Sequence, residues 1–359
     1  MQPSVSTTDI DTVKELVNSR LKVYCDERSS EALIVGNGYA TLWKSLSKLL
    51  LAGGKRLRPY MVVTSYKAYA PESSIDAVLP AAMAQELIHL AMLIHDDIID
   101  RDTVRYGIKN MTGQYLDFYS SFIDESGEKR HMAESSALLA GDILLSDAYK
   151  ILAQSQFSPD ALGKAIDLMS RGVFEVVGGE LLDTESAFIY DPLVTAQTIA
   201  RYKTASYSFI SPILTGATLA GADEAELTIL RAIAEKLGIG YQLRDDLLGI
   251  FGDEVLTGKS TSTDITEGKR TYLIEVFESL ATPEQSSEFS KVFHNSQATS
   301  DEISLARSIL IDAGAKSTVE KELDTIFATV SELIDSLSIT AEARTTFRQL
   351  ATICLDRDL

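Results

Sequence analysis

At 359 residues, with 45% hydrophobic and 24% charged side chains, the chain is long enough for one large domain or two ordinary ones and supplies a substantial core. A net charge of -19 repels nucleic acid and anionic lipid and excludes both as partners, so any site for an anionic substrate must be locally reversed by clustered Lys and Arg or by metal. The two cysteines, Cys25 and Cys354, lie near opposite ends; that excludes a disulfide framework and fits a reducing, cytoplasmic setting.

Helical periodicity dominates, and no alternating strand pattern stands out. Helices are predicted over 8–29, 37–52, 59–70, 80–103, 133–156, 159–185, 192–221, 223–251, 269–281, 302–314, 317–337 and 340–355. Pro59, Pro80, Pro192 and Pro283 mark helix starts. The first residues, MQPSVSTTDIDTVKELV, show no basic segment followed by an apolar one, so no signal peptide is expected. The breaks at 53–54, 120–129, 252–268 and 284–301 are too short to separate two cores. The expectation is therefore an all-α chain forming a single domain over 1–359, one large helical bundle around a cavity.

The first motif along the chain is Gly53-Gly54-Lys55-Arg56-Leu57-Arg58-Pro59. Two glycines end one helix and proline opens the next, leaving three cations on a tight connection. These can grip a diphosphate through charge-assisted bonds, although a basic helix end is a common feature in its own right. The most apolar long stretch, 77–99, is interrupted by Gln85, Glu86, His89 and His95, which a membrane span would not tolerate. It ends in Asp96, Asp97 and Asp100. Positions i and i+4 share a face, so Asp96 and Asp100 repel unless a cation intervenes. Hard oxygen ligands that fill only part of a shell suit Mg²⁺. His89 lies two turns before Asp96 on the same face, whereas His95 points elsewhere and reads as structural. A second pair, Asp245 and Asp246, again follows an apolar helix, with Gln242 one turn earlier. Two such helices facing a bundle cavity are the usual way a bundle builds a metal site.

These elements, in this order, resemble the trans-isoprenyl diphosphate synthase (polyprenyl synthetase) family. GGKRLRP (53–59), LIHDDIIDRD (93–102) with Arg105, LLAGDILL (138–145), KTAS (203–206), YQLRDDLLGIFGD (241–253), Lys259 and GKR (268–270) carry the likeness. It implies the isoprenoid synthase type of bundle, a homodimer, and three Mg²⁺ ions as cofactor. By the same resemblance, Asp96, Asp100 and Asp245 are the main magnesium ligands, with Asp97 and Asp246 supporting. Arg105, Lys203 and Lys259 hold an allylic diphosphate, with Lys269 near its outer edge. Lys55, Arg58 and His89 hold isopentenyl diphosphate, and Gln242 and Thr204 line the reacting centre. Three positions depart from the pattern: Tyr106 replaces a second arginine, Gly249 replaces a third aspartate, and Glu180 replaces a glutamine.

The implied reaction ionises the allylic diphosphate, attacks the cation with the double bond of isopentenyl diphosphate, and loses a proton to the departing diphosphate. Two rivals remain. A class I terpene cyclase would need no basic loop at Lys55 and Arg58, and a non-catalytic regulatory subunit would be expected to lose aspartates that are present here. Short-chain members of the family place aromatic rings four and five residues before the first aspartate. Here Ala91 and Met92 stand there, so the expected product is longer than farnesyl, geranylgeranyl (C20) first and C25 or longer second.

Overall fold

The protein is described by a computed structural model covering residues 9–105, 107–186, 188, 189, 191, 193–252 and 261–355. Helix α1 (Ile10–Val35) opens on Asp9, whose carboxylate accepts from the Thr12 amide, and ends at Gly36, where φ is +151°. It is followed by α2 (Asn37–Leu51), α3 (Leu57–Tyr69), a 3-10 turn at Ile75–Ala77, and α4 (Leu79–Ile99). Strands β1 (Val104–Arg105) and β2 (Ile108–Lys109) pair antiparallel, Arg105 opposite Ile108. Next come α5 (Met111–Tyr119), α6 (Ser126–Ala153), α7 (Pro159–Ser186) and α8 (Ala196–Ile199). A π-helical stretch over Ala200–Ile210 runs into α9 (Ser211–Leu219), and α10 spans Glu224–Phe251. The rest comprises α11 (Thr263–Thr266), α12 (Tyr272–Leu280), α13 (Pro283–Phe289), α14 (Ser300–Asp312), α15 (Ala315–Ser336) and α16 (Ala341–Leu355). Helices α13 and α14 start on reciprocal capping boxes, Thr282 with Gln285 and Thr299 with Glu302.

The all-α expectation holds, with corrections to several boundaries. The helix expected to run to 103 stops at Ile99, and the small hairpin after it escaped the sequence pattern. Helix α5 was not expected, and α6 begins seven residues earlier than predicted, on Glu125, whose carboxylate accepts from the amides of Gly127 and Glu128. Helix α13 falls in a stretch read as a break. Pro192 lies outside the described residues, and the helix expected to open there opens instead on Thr195, whose hydroxyl accepts from the Thr198 amide (3.1 Å).

The chain divides into two compact units, Met1–Ser170 with Ser211–Leu227, and Arg171–Ile210 with Thr228–Leu359. In the first, α4 packs on α6, burying Leu87, Ile88, Ala91 and Ile94 together with Ala133, Ala137, Ala140 and Leu144. Small residues on α6 permit a close approach, and each large apolar side chain so buried contributes about 1.5–3 kcal/mol. Helix α9 comes equally close to α3: a Cβ at Gly216 would lie 2.2 Å from the Val62 carbonyl oxygen. The Tyr24 hydroxyl and the Arg28 guanidinium of α1 both bond to the buried Asp147 of α6.

In the second unit the π-helical stretch lies between two glycines. A Cβ at Gly179 of α7 would sit 2.2 Å from the Lys203 nitrogen, and one at Gly238 of α10 would sit 2.4 Å from Ala205. Buried Leu237, Leu243 and Leu247 of α10, Ile326 and Val330 of α15, and Phe347 and Leu350 of α16 form its core. Among the described residues, no helix is long and apolar enough to cross a membrane.

Candidate active site

In the first unit the basic connection between α2 and α3 depends on its glycines: φ is +107° at Gly53 and +122° at Gly54, values open to glycine but strained for other residues. Its three cations part company. Arg56 turns inward and is buried. Its guanidinium donates to Glu86 Oε1 (2.5 Å), to Asn18 Oδ1 (2.9 Å) and to the Leu50 carbonyl (2.5 Å), tying the loop to α4, α1 and α2. Lys55 is exposed and Arg58 half-buried. The aspartates stand at the end of α4. Asp100 is the C-cap residue rather than part of the helix, yet its backbone stays αR and its amide donates to the Asp96 carbonyl (2.8 Å), so it remains one turn beyond Asp96.

Arg105 joins this group from β1. Its Nε donates to Asp97 Oδ1 and a terminal nitrogen to Asp96 Oδ2, each at 2.6 Å. The hairpin is held by the Asn110 side chain, which donates to the Asp102 carbonyl (2.9 Å), and by Gly113, where a Cβ would lie 2.1 Å from the Thr103 carbonyl. Asp97 is buried, and burial pushes its carboxyl up to about 6 despite Arg105. His89 is held well below its ordinary value, first by burial and then by the charges of Arg58, Arg105 and Arg56. At neutral pH it is an uncharged imidazole with one N–H to donate. The first unit thus gathers Arg58, His89, Asp96, Asp97 and Arg105. His95 instead packs over Gly141, where a Cβ would lie 2.1 Å from its Nε2, which fits its structural reading.

Ala91 and Met92 separate on α4. Ala91 is completely buried, whereas Met92 is half-buried, as are His89, Leu93 and Asp96 on the same stripe.

In the second unit Lys203, Thr204, Gln242, Asp246 and Lys269 line one pocket, together with Asp183 and Arg270. The Thr204 hydroxyl donates to Gln242 Oε1 (2.7 Å), and the Gln242 amide donates to Asp246 Oδ1 (2.9 Å). This chain fixes the orientation of the glutamine amide. Burial pushes Asp246 up to about 7, with Asp264 and Asp245 adding to the shift and Lys269 and the Gln242 bond opposing it. Asp245 is half-buried, one residue around the helix. Lys203 pairs with Asp183 Oδ2 (2.6 Å) and with Glu180 Oε2 (3.0 Å). This gives a cation to the charge of Glu180, which stands where the family pattern has glutamine. Asp183 was missed; its spacing of three from Glu180, one helical turn behind Gly178-Gly179, was the available signal. The π geometry that carries Lys203 and Thr204 left no mark in composition, and such irregularities concentrate at functional sites. Lys259 and Tyr106 lie outside the described residues.

Carboxylate oxygens are hard donors of the kind Mg²⁺ selects, so Asp96, Asp97, Asp100, Asp245 and Asp246 fit that ion. Among the described residues no group of three or more His, Cys, Asp or Glu side chains is assembled as a metal cage.

The polyprenyl synthetase family model matches residues 40–310. A geranylgeranyl diphosphate synthase from Methanosarcina mazei is 30% identical over 88% of this chain and 90% of its own length. A short chain isoprenyl diphosphate synthase from Methanocaldococcus jannaschii is 31% identical over 73% and 70%. Among solved structures, a geranylgeranyl pyrophosphate synthase from Corynebacterium glutamicum, complexed with isoprenyl diphosphate and magnesium, superposes with a TM-score of 0.89 at 30% identity, covering 98% of this chain and 100% of that one. With the family model spanning most of the chain and these relatives covering 73%, 88% and 98% of it, the chain belongs to the polyprenyl synthetase family and is an isoprenyl diphosphate synthase, a prenyltransferase.

Proposed function

We propose that the chain condenses an allylic diphosphate with isopentenyl diphosphate head to tail, releases pyrophosphate, and makes geranylgeranyl diphosphate or a longer product. The carrying observation is that, beside carboxylates suited to a divalent cation, each unit holds donors suited to a diphosphate: Arg58 and His89 in the first, Lys203 and Lys269 in the second. Two anionic substrates in one reaction call for two such sets. Cations are the more necessary because the chain as a whole carries -19.

Magnesium, three ions in this reading, would be held by Asp96, Asp100 and Asp245 with Asp97 and Asp246 in support; when bound it draws charge onto the diphosphate leaving group. Arg105 neutralises Asp96 and Asp97 here and would turn to the allylic diphosphate once cations take those carboxylates. Lys203, Lys259 and Lys269 bind the same diphosphate. Lys55, Arg58 and the neutral N–H of His89 bind isopentenyl diphosphate. The Thr204 hydroxyl and the Gln242 amide present dipoles toward the developing positive charge. The departing diphosphate takes the proton.

Product length rests on Ala91 and Met92, which leave α4 without an aromatic ring four and five residues before Asp96. A homodimer is supported by an exposed apolar group on α5 and α6 and the turn between them, namely Phe118, Phe122, Leu138 and Leu139. The two cysteines, both buried, agree with a reducing, cytoplasmic setting. The chain from 1 to 359 is read as a single catalytic domain. Light scattering tests the dimer, and product sizing with radiolabelled isopentenyl diphosphate tests the reaction. Cyclised hydrocarbon from a single diphosphate would favour a terpene cyclase, and activity only in the presence of another protein would favour a regulatory subunit.

A further inference from the structure

Gly249 lies four residues after Asp245 and three after Asp246, on the face of α10 that carries the aspartates. Its side-chain position is taken. A Cβ there would lie 2.3 Å from Oδ2 of Asp264 and 3.2 Å from its Cγ. Asp264 belongs to the short helix α11, so a carboxylate from another element stands directly on α10 where the helix itself offers none. Glycine at 249 is what makes this approach possible, because any Cβ would displace the carboxylate.

Asp264 also reaches Lys269. Its carbonyl oxygen accepts from the Lys269 amide (3.0 Å). Among the acidic groups facing the Lys269 ammonium, its carboxylate has the largest influence, ahead of Asp183 and Asp246. Lys269 in turn lines the pocket with Lys203, Thr204, Gln242 and Asp246. Asp264 is therefore fixed from below by Gly249 and holds a cation of the pocket by both backbone and charge.

We propose that Asp264 is a positioning residue: seated on Gly249 in place of a carboxylate from α10, it sets Lys269 over the pocket to receive a diphosphate. The inference deepens the functional reading above and rests on it for the identity of the anion. It makes position 249 and position 264 a coupled pair, since a side chain at 249 is harmful only while Asp264 is present.

The test is a double-mutant cycle with two readouts, the KM for the allylic diphosphate and the dissociation constant of inorganic pyrophosphate with Mg²⁺ measured by calorimetry on the full chain. Asp264→Asn is expected to raise both by about tenfold, the scale of one lost charge-assisted contact, with kcat and the KM for isopentenyl diphosphate changing less than about threefold. In a Lys269→Gln background the same substitution should add less than about twofold. Gly249→Ala should move both readouts in the same direction in the wild type and not at all in an Asp264→Ala background. Should Asp264→Asn fail to fold, Gly249→Ala with the native carboxylate still carries the test. The proposal is overturned if pyrophosphate affinity is unchanged in Asp264→Asn, if the Asp264 and Lys269 effects multiply, or if Gly249→Ala acts equally without Asp264. A wild-type chain that makes no prenyl product would sink the functional reading instead, and the calorimetric arm would still decide the role of Asp264.

Discussion

The stripe on α4 below Asp96 makes a quantitative prediction about product length. Met92 lies four residues before Asp96, about 6 Å down the helix, and Ala91 lies five before it, about 7.5 Å. The two are not equivalent, since Ala91 is completely buried and Met92 half-buried. Replacing Met92 with Phe exchanges a flexible thioether for a rigid ring of similar volume at a partly open position, a change that costs under about 1.5 kcal/mol. Replacing Ala91 with Tyr inserts seven heavy atoms into a closed helix interface. Overpacking of that kind costs about 1–3 kcal/mol, and the lower helix propensity of Tyr adds about 0.5 kcal/mol. Met92→Phe should therefore shift product toward C15 with turnover and Tm nearly preserved. Ala91→Tyr should produce a similar shift only at the expense of several degrees in Tm. The assay is thin-layer or mass-spectrometric sizing of radiolabelled products beside a thermal melt of each variant. A folded, active Met92→Phe enzyme with an unchanged product distribution would refute the placement of the chain along this stripe.

The remaining predictions concern charge. Asp96→Asn should lower kcat by several orders of magnitude with the fold intact, because an interaction made in the transition state is lost; near-normal turnover would rule the assignment out. Arg58→Ala should raise the KM for isopentenyl diphosphate far more than that for the allylic partner, and equal effects on both would count against separate pockets. Asp97 and Asp246 are both raised, to about 6 and about 7. A raised carboxylate stabilises the metal-free fold below its unfolded value and loses that contribution as pH climbs through the folded one, by about 3 kcal/mol for Asp97. Metal-free melts should thus fall between about pH 4 and 7, with a smaller fall in Asp246→Asn, while Mg²⁺ affinity should rise over the same range. An Asp246→Asn chain with the full pH dependence would contradict this.

The long helices were legible because their apolar residues recur with helical period, and the connection at 53–59 because paired glycines and a proline punctuate it. What sequence could not separate was direction. Lys55, Arg56 and Arg58 are alike in composition, yet Arg56 alone turns inward to Glu86, a choice made by the left-handed backbone at that residue, where φ is 51°. The π-helical stretch was invisible because its residues are ordinary helix formers, and the shift arises from packing against Gly179 and Gly238. The hairpin that carries Arg105 has two residues per strand, too few to alternate. Asp97 and Asp246 read as seconds to their neighbours, and burial, which sets their ionisation, is a property of the folded chain alone. Gly249 looked like a loss, and only the position of Asp264 shows that the space is used.

One measurement bears on the central claim most directly. The purified chain, with no other protein, is incubated with Mg²⁺, radiolabelled isopentenyl diphosphate and in turn dimethylallyl, geranyl and farnesyl diphosphate, and the products are sized. The account predicts linear prenyl diphosphates of C20 or longer, formed with stoichiometric pyrophosphate release and abolished by chelation of the metal. A chain that binds the diphosphates but incorporates no isopentenyl label, or that turns a single allylic diphosphate into a cyclic hydrocarbon, would contradict it.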